Sequence, residues 1–158
     1  VDEPFWTAAL GDEGTGDLLV ERLSAADERI VIVAASPTHP FDLDEVGTRI
    51  SDELEAALDR GVEVSVLLRP DVVDSLPAEV GERYREGLRD REGYEVRTSE
   101  DLSGTFELLD RSEICIEVPD PLVADETLAV IDLKDREFAE RVEAAFDERW
   151  AEARPLGL

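Results

Sequence analysis

The amino-acid sequence predicts a single α/β domain: a mostly parallel sheet with helices on both faces and a C-terminal β-hairpin. Residues 29–36, Arg-Ile-Val-Ile-Val-Ala-Ala-Ser, form an unbroken apolar run with an abrupt polar end. Rich in β-branched side chains and without alternation, the run suits a strand covered on both faces. A near-copy at 62–69 follows a helical segment, and strand, helix and strand in that order make a parallel unit with a right-handed crossover. From Gly104 the pattern changes: apolar segments 105–109 and 114–118 flank Asp110-Arg111-Ser112-Glu113, which reads as a hairpin.

Residues 1–13 carry Phe5, Trp6 and Leu10 in an acidic context and read as an N-terminal arm or linker, leaving 14–154 as the domain. Thr15 is placed to cap a first helix running to about Ala26, with Leu18, Leu19 and Leu23 on one face. After the central strand, a proline-punctuated loop leads to Asp42 or Asp44 as the next cap. Leu43, Val46, Ile50, Leu54, Ala57 and Leu58 then recur at helical spacing, and Gly61 stops the helix after Arg60. Ser75 is expected to cap a third helix with Pro77 in its first turn and Leu76, Val80, Tyr84 and Leu88 as a thin stripe, ended by Gly93. A short strand at 94–98 precedes the hairpin. Pro119-Asp120-Pro121 breaks the chain before a strand at 127–131. The last helix, capped by Asp132 or Asp135, carries Phe138, Val142, Ala145, Phe146 and Trp150. The chain begins at Val1 and contains no methionine, which predicts a segment of a longer product.

Charge is the strongest compositional signal. Asp and Glu number 41 against 16 Lys and Arg, for a net charge of −25, and Lys134 is the single lysine. Hydrophobic residues make up 42 % and fall in periodic runs, so the chain is expected to fold rather than stay disordered. The balance predicts adaptation to high salt: at ~1 M ionic strength the Debye length is only ~3 Å and carboxylate repulsion is screened. It argues against direct nucleic-acid contact, which draws on Lys and Arg, and against anionic membranes. No apolar run approaches the ~20 residues of a membrane span, and no secretory signal is evident, so a cytoplasmic location is expected. Cys115 is the only cysteine and sits in an apolar strand; no metal site or cofactor is predicted.

Most motif-like stretches have simpler explanations. Asp42-x-Asp44-x-Val46-Gly47 with Glu53 nearly matches a calcium loop, but Val46 stands at a ligand position and the segment has helical periodicity. Gly11-x-x-Gly14-x-Gly16 lacks a preceding strand and a following lysine, and reads as a flexible connection. His39, the only histidine, lies just past the central strand beside Ser36 and Thr38, where ligands of such sheets bind. Arg69 occupies the equivalent position after the second strand.

The segments Leu19-Val-Glu-Arg-Leu-x-x-Ala-x-x-Arg-Ile-Val-Ile-Val-Ala34 and Leu54-Glu-Ala-Ala-Leu-x-x-Gly-Val-x-Val-x-Val-Leu-Leu68, the hairpin ending in Asp110, and Phe146-Asp-Glu-Arg-Trp150 carry a resemblance. Together they resemble the C-terminal phospholipase-D-like regulatory domain of haloarchaeal TrmB-like transcriptional regulators. Catalytic phospholipase-D-like proteins carry His-x-Lys-x4-Asp. With Asp110 as the acid, Ser103 stands at the histidine and Thr105 at the lysine, so the resemblance implies no catalytic residues and no enzyme of that kind. It implies instead a homodimeric sensor domain, with DNA reached through a winged helix outside this chain and a small-molecule effector as candidate ligand. The candidate effector pocket is Ser36, Thr38, His39, Arg69, Ser103, Thr105 and Asp110. Two rivals are a hydrolase using carboxylates or His39, and a ligand-free interaction domain docking through the last helix or Phe5-Trp6. The charge reading generates a direct test: the thermal unfolding midpoint, followed by circular dichroism, is expected to fall when molar KCl is replaced by millimolar KCl.

Overall fold

The computed structural model of the chain describes residues 5–10, 12–35, 43–123 and 127–156. The central apolar run forms β2 (Arg29–Ala34), and the near-copy forms β3 (Glu63–Leu68) in parallel register beside it, with Ile30 opposite Val64 and Val33 opposite Leu67. Between them runs α2 (Leu43–Asp59), which Gly61 terminates in the left-handed region at φ +87°. β4 (Tyr94–Thr98) extends the parallel part beyond β3.

The other side of β2 is antiparallel. β5 (Phe106–Leu109) pairs with β2, β6 (Glu113–Pro119) with β5, and β7 (Thr127–Lys134) with β6. β1 (Phe5–Leu10) closes this edge against β7, and β8 (Arg154–Pro155) closes the other against β4. The sheet thus has eight strands in the order β1-β7-β6-β5-β2-β3-β4-β8. The segment read as an arm or linker therefore contributes an edge strand.

Helices cover both faces. α1 (Asp12–Ser24) and α2 bury Leu19, Leu23, Leu54 and Ala57 against Ile30, Val64 and Val66. On the opposite face α5 (Arg136–Glu152) buries Ala139 and Phe146 against Val31, Val33, Leu67 and Ile114. Of the apolar stripe of α5, Phe146 is buried, Phe138, Val142 and Trp150 are partly buried against this core, and Ala145 is exposed. Each such leucine or phenylalanine contributes about 1.5–3 kcal/mol by leaving water.

Several local expectations are corrected. Thr15 is buried inside α1 rather than capping it, and Gly14 and Gly16 are helical rather than a flexible connection. Burial of Thr15, Leu19 and Leu23 on the sheet outweighs the ~1 kcal/mol helix penalty of each glycine. The single helix expected from Ser75 is two pieces, α3 (Pro70–Ser75) and α4 (Ala78–Arg83), with α4 running on into a π-helical turn at Tyr84–Leu88. Ser75 ends α3, its hydroxyl donating to the Val72 carbonyl at 2.9 Å, and Pro77 holds the N-cap position of α4. At the last helix Asp135 is the cap, accepting from the Phe138 N–H at 3.1 Å, while Asp132 is a buried member of β7.

The tip of the hairpin fastens these layers. Asp110 and Arg111 both adopt positive φ, 54° and 56°, closing the tight turn between β5 and β6. The Asp110 carboxylate accepts from three successive backbone N–H groups, those of Asp27 (3.0 Å), Glu28 (2.8 Å) and Arg29 (3.0 Å). Its own N–H donates to the Arg29 carbonyl at 2.9 Å. Arg111 in turn reaches the buried Glu143 of α5 at 2.7 Å. Replacing Asp110 by Ala leaves three amides without this acceptor and is expected to lower stability by about 2 kcal/mol. Ser112→Ala in the same turn is expected to stay within about 0.5 kcal/mol, both read by denaturant unfolding in molar KCl.

Candidate functional site

Among the described residues that the sequence grouped as a pocket, the structure separates Ser103 and Asp110 from Thr105. Ser36, Thr38 and His39 lie outside the described residues. Arg69 occupies the N-cap position of α3 and is half-exposed, its guanidinium held by the Asp71 carboxylate through bonds of 3.1 and 2.7 Å. Because β5 runs antiparallel to β2, Thr105 meets the carboxyl end of β2 and Asp110 meets its amino end. The Thr105 hydroxyl accepts from the Ala35 N–H at 3.1 Å. Ser103 falls on the α5 face of the sheet, where with Leu102, Phe106 and Val142 it lines a shallow groove, while Thr105 lines a cavity on the other face. Asp110 is a fastening residue rather than a pocket wall.

That cavity, about 170 Å³, lies between the sheet and the helices α1, α2 and α4. Its walls are apolar, with Leu54 and Ile50 from α2, Val80 and Leu88 from α4 and its π turn, and Val66 and Val96 from the sheet. Tyr84 and Tyr94 form one wall, their rings tilted at 49° with centroids 6.2 Å apart. Burial pushes both phenols above their usual range. The π turn therefore sits on the cavity, the kind of place where such turns recur.

Two carboxyl groups enter this apolar space, Glu107 from β5 and Glu117 from β6. Glu107 is 9 % exposed. Its carboxyl is pushed up to about 8, first by burial and then by the neighbouring Glu117 charge. It is a neutral acid at pH 7, able to donate as well as accept. Sequence reasoning passed over it, yet a signal existed: Glu107 and Glu117 interrupt the otherwise apolar segments of the hairpin.

A second buried polar group lies on the same face. The Arg22 guanidinium of α1 makes a bidentate pair with Glu113 at 2.6 and 2.9 Å and stands 3.7 Å from Asp132. Burial works to raise the Glu113 carboxyl, but the Arg22 bonds outweigh it and hold the carboxyl below its usual range. Burial and the adjacent Glu113 raise Asp132, so the proton of this pair resides on Asp132. Burial pushes the Cys115 thiol up, which makes it a poor nucleophile. Ligand atoms of Glu113, Cys115 and Asp132 lie within 4.8 Å of one another, but Arg22 and Lys134 already balance their charge.

The family match covers residues 1–156 and is to the family described as Domain of unknown function (DUF7436). The chain belongs to that family. No curated protein matches it. Among solved structures, the DUF7436 chain is similar to TrmBL2, described as an archaeal chromatin protein with a novel mode of DNA binding. That similarity has a TM-score of 0.70 and 20 % identity, over 99 % of this chain and 54 % of TrmBL2. The chain thus spans about half the length of TrmBL2. It is also similar to Nuc from Salmonella typhimurium, a phospholipase D family member, with a TM-score of 0.68 and 18 % identity over 99 % of this chain and 100 % of Nuc. Phosphatidylserine synthase of Haemophilus influenzae matches with a TM-score of 0.61 and 13 % identity over 97 % of this chain and 39 % of the synthase. At these identities the likenesses establish the phospholipase-D-like fold. They also overturn the exclusion of enzymes drawn from the sequence, because enzymes such as phosphatidylserine synthase carry the same fold. Among the described residues, no helix is long and apolar enough to cross a membrane.

The Glu107 environment sets a pH dependence. Its folded value of about 8 lies above the ordinary 4.5, so its contribution to stability is fully present below about 4.5 and lost as pH rises through about 8. Asp132 acts with the same sign. Unfolding free energy in molar KCl is expected to fall between about pH 5 and 8, and Glu107→Gln to flatten that slope and stabilise the protein at the upper end. Urea titrations of both proteins across the window measure it.

Proposed function

We propose that this DUF7436 domain is the effector-sensing and dimerisation part of a halophilic archaeal transcriptional regulator, cytoplasmic and homodimeric. In this reading a winged helix outside these 158 residues contacts DNA. The observation that carries it is the likeness over 99 % of the chain to just over half of TrmBL2, a protein described as DNA-binding. The net charge of −25 supports a division of labour, since a surface this acidic repels phosphate and leaves DNA contact to another domain. The effector pocket is reassigned from the Ser103–Asp110 grouping to the cavity beside Thr105 and Glu107. The test compares the full natural gene product with the 158-residue piece. The longer protein is expected to retard duplex DNA and the piece to sediment as a dimer without retarding it. Retardation by the piece alone, or a longer product with no DNA-binding domain, would sink the reading.

A second reading, phosphodiester hydrolysis, is favoured by the fold shared with Nuc and phosphatidylserine synthase. Turnover of bis(p-nitrophenyl) phosphate that survives purification and disappears in His39→Ala would replace the regulatory reading.

A further inference from the structure

Buried acids in this molecule are normally given a cation or a set of amides. Glu113 has Arg22, Asp132 has Arg22 and Lys134 nearby, and Glu143 has Arg111. Asp110 has three backbone N–H groups. Glu107 has none of these. Only 9 % exposed, it lines the cavity with no hydrogen bond or ion pair from any described residue, and its electrostatic neighbour is another acid, Glu117. No lysine or arginine is among the described residues lining this space.

We propose that the cavity binds a small organic cation, a protonated amine on a compact hydrocarbon body, with its ammonium against Glu107 and its apolar part against Leu54, Val80 and Leu88. The walls supply the apolar complement, and the unmatched carboxyl supplies the site for the charge, since a buried carboxylate is stabilised only by pairing. The cavity of about 170 Å³ is close in size to the ~150 Å³ apolar cavity that accommodates benzene.

Binding is coupled to proton release. The free site holds its proton on Glu107; when the ammonium docks, that proton leaves to solvent and the ion pair takes its place. Other titratable groups around Glu107 are Glu117 and Cys115 on β6, Asp132 on β7, Arg22 on α1, and Tyr84 and Tyr94 across the cavity. Arg22 is engaged by Glu113, and Cys115 and the two tyrosines are neutral at pH 7. Asp132 titrates within the same window, so its contribution is separated by substitution of Glu107. Affinity therefore rises from about pH 6.5 toward 8 as the cost of removing the Glu107 proton falls.

The physiological meaning of the site rests on the regulatory reading, but the binding itself does not. Calorimetry on the 158-residue chain in molar KCl tests it with cyclohexylammonium, cyclohexanol and cyclohexanecarboxylate as probes. Cyclohexylammonium is expected to bind most tightly, releasing about one proton, as buffers of different ionisation enthalpy report. Glu107→Gln, which keeps the shape and removes the charge, is expected to weaken the amine at least about tenfold while leaving cyclohexanol unchanged. Val80→Trp, which fills the space from the helix side, is expected to abolish both. No binding of the amine, equal binding to Glu107→Gln, or tighter binding of cyclohexanol overturns the proposal. Such a failure leaves the regulatory reading to stand on DNA retention and dimerisation. Amine binding in a protein whose full product ignores DNA would keep the site and remove its regulatory role.

Discussion

The antiparallel pairing of β5 with β2 at the middle of the sheet is the constraint on which the rest depends. It fixes which end of the hairpin meets which end of β2, and which face each residue of β5 presents. Leu108 joins the α5 core, while Glu107 on the alternate face enters the cavity beneath α1, α2 and α4. Thr105 reaches the amide of Ala35 at one end, and Asp110 gathers the amides of 27–29 at the other. A slip of one residue would exchange these roles, placing Leu108 toward the acids and Glu107 against Phe146 and Ala139.

The same register explains how a strongly acidic chain maintains its interior. Surface carboxylates are solvated and screened by salt, but those facing inward need partners. Arg22 supplies one across the α1–β6 contact, and Arg111 supplies another from the hairpin tip to α5. Where no partner is supplied, at Glu107, the group stays mostly protonated at pH 7, and ionising it there would cost about 1.4 kcal/mol, one pH unit below its midpoint of about 8.

Much of the architecture was legible because it follows from apolar period. The runs at 29–36 and 62–69, the spacing from Ile50 to Leu58 and the stripe from Phe138 to Trp150 all announce the faces they bury. What was not legible depends on contacts distant in sequence. α1 starts at Asp12 because Thr15 is drawn onto the sheet, an effect that two local glycines argue against. Asp110 looked like a member of a chemical constellation with Ser103 and Thr105, and only the strand geometry shows that the span of β5 separates them. Glu107 looked like one more acid among 41; its place within an apolar strand was visible, but its want of a cation depends on strands and helices distant in sequence.

The site therefore consists of an apolar space, a π-helical wall and one uncompensated acid on a fold also found in TrmBL2 and in Nuc. The most direct test of this account is the ionisation of that acid itself, followed by the ¹³C carboxyl resonance of Glu107 in molar KCl and assigned by its loss in Glu107→Gln. A midpoint at about 8 is predicted. A midpoint near the ordinary 4.5 would mean that the carboxyl is solvated or paired, and would contradict it.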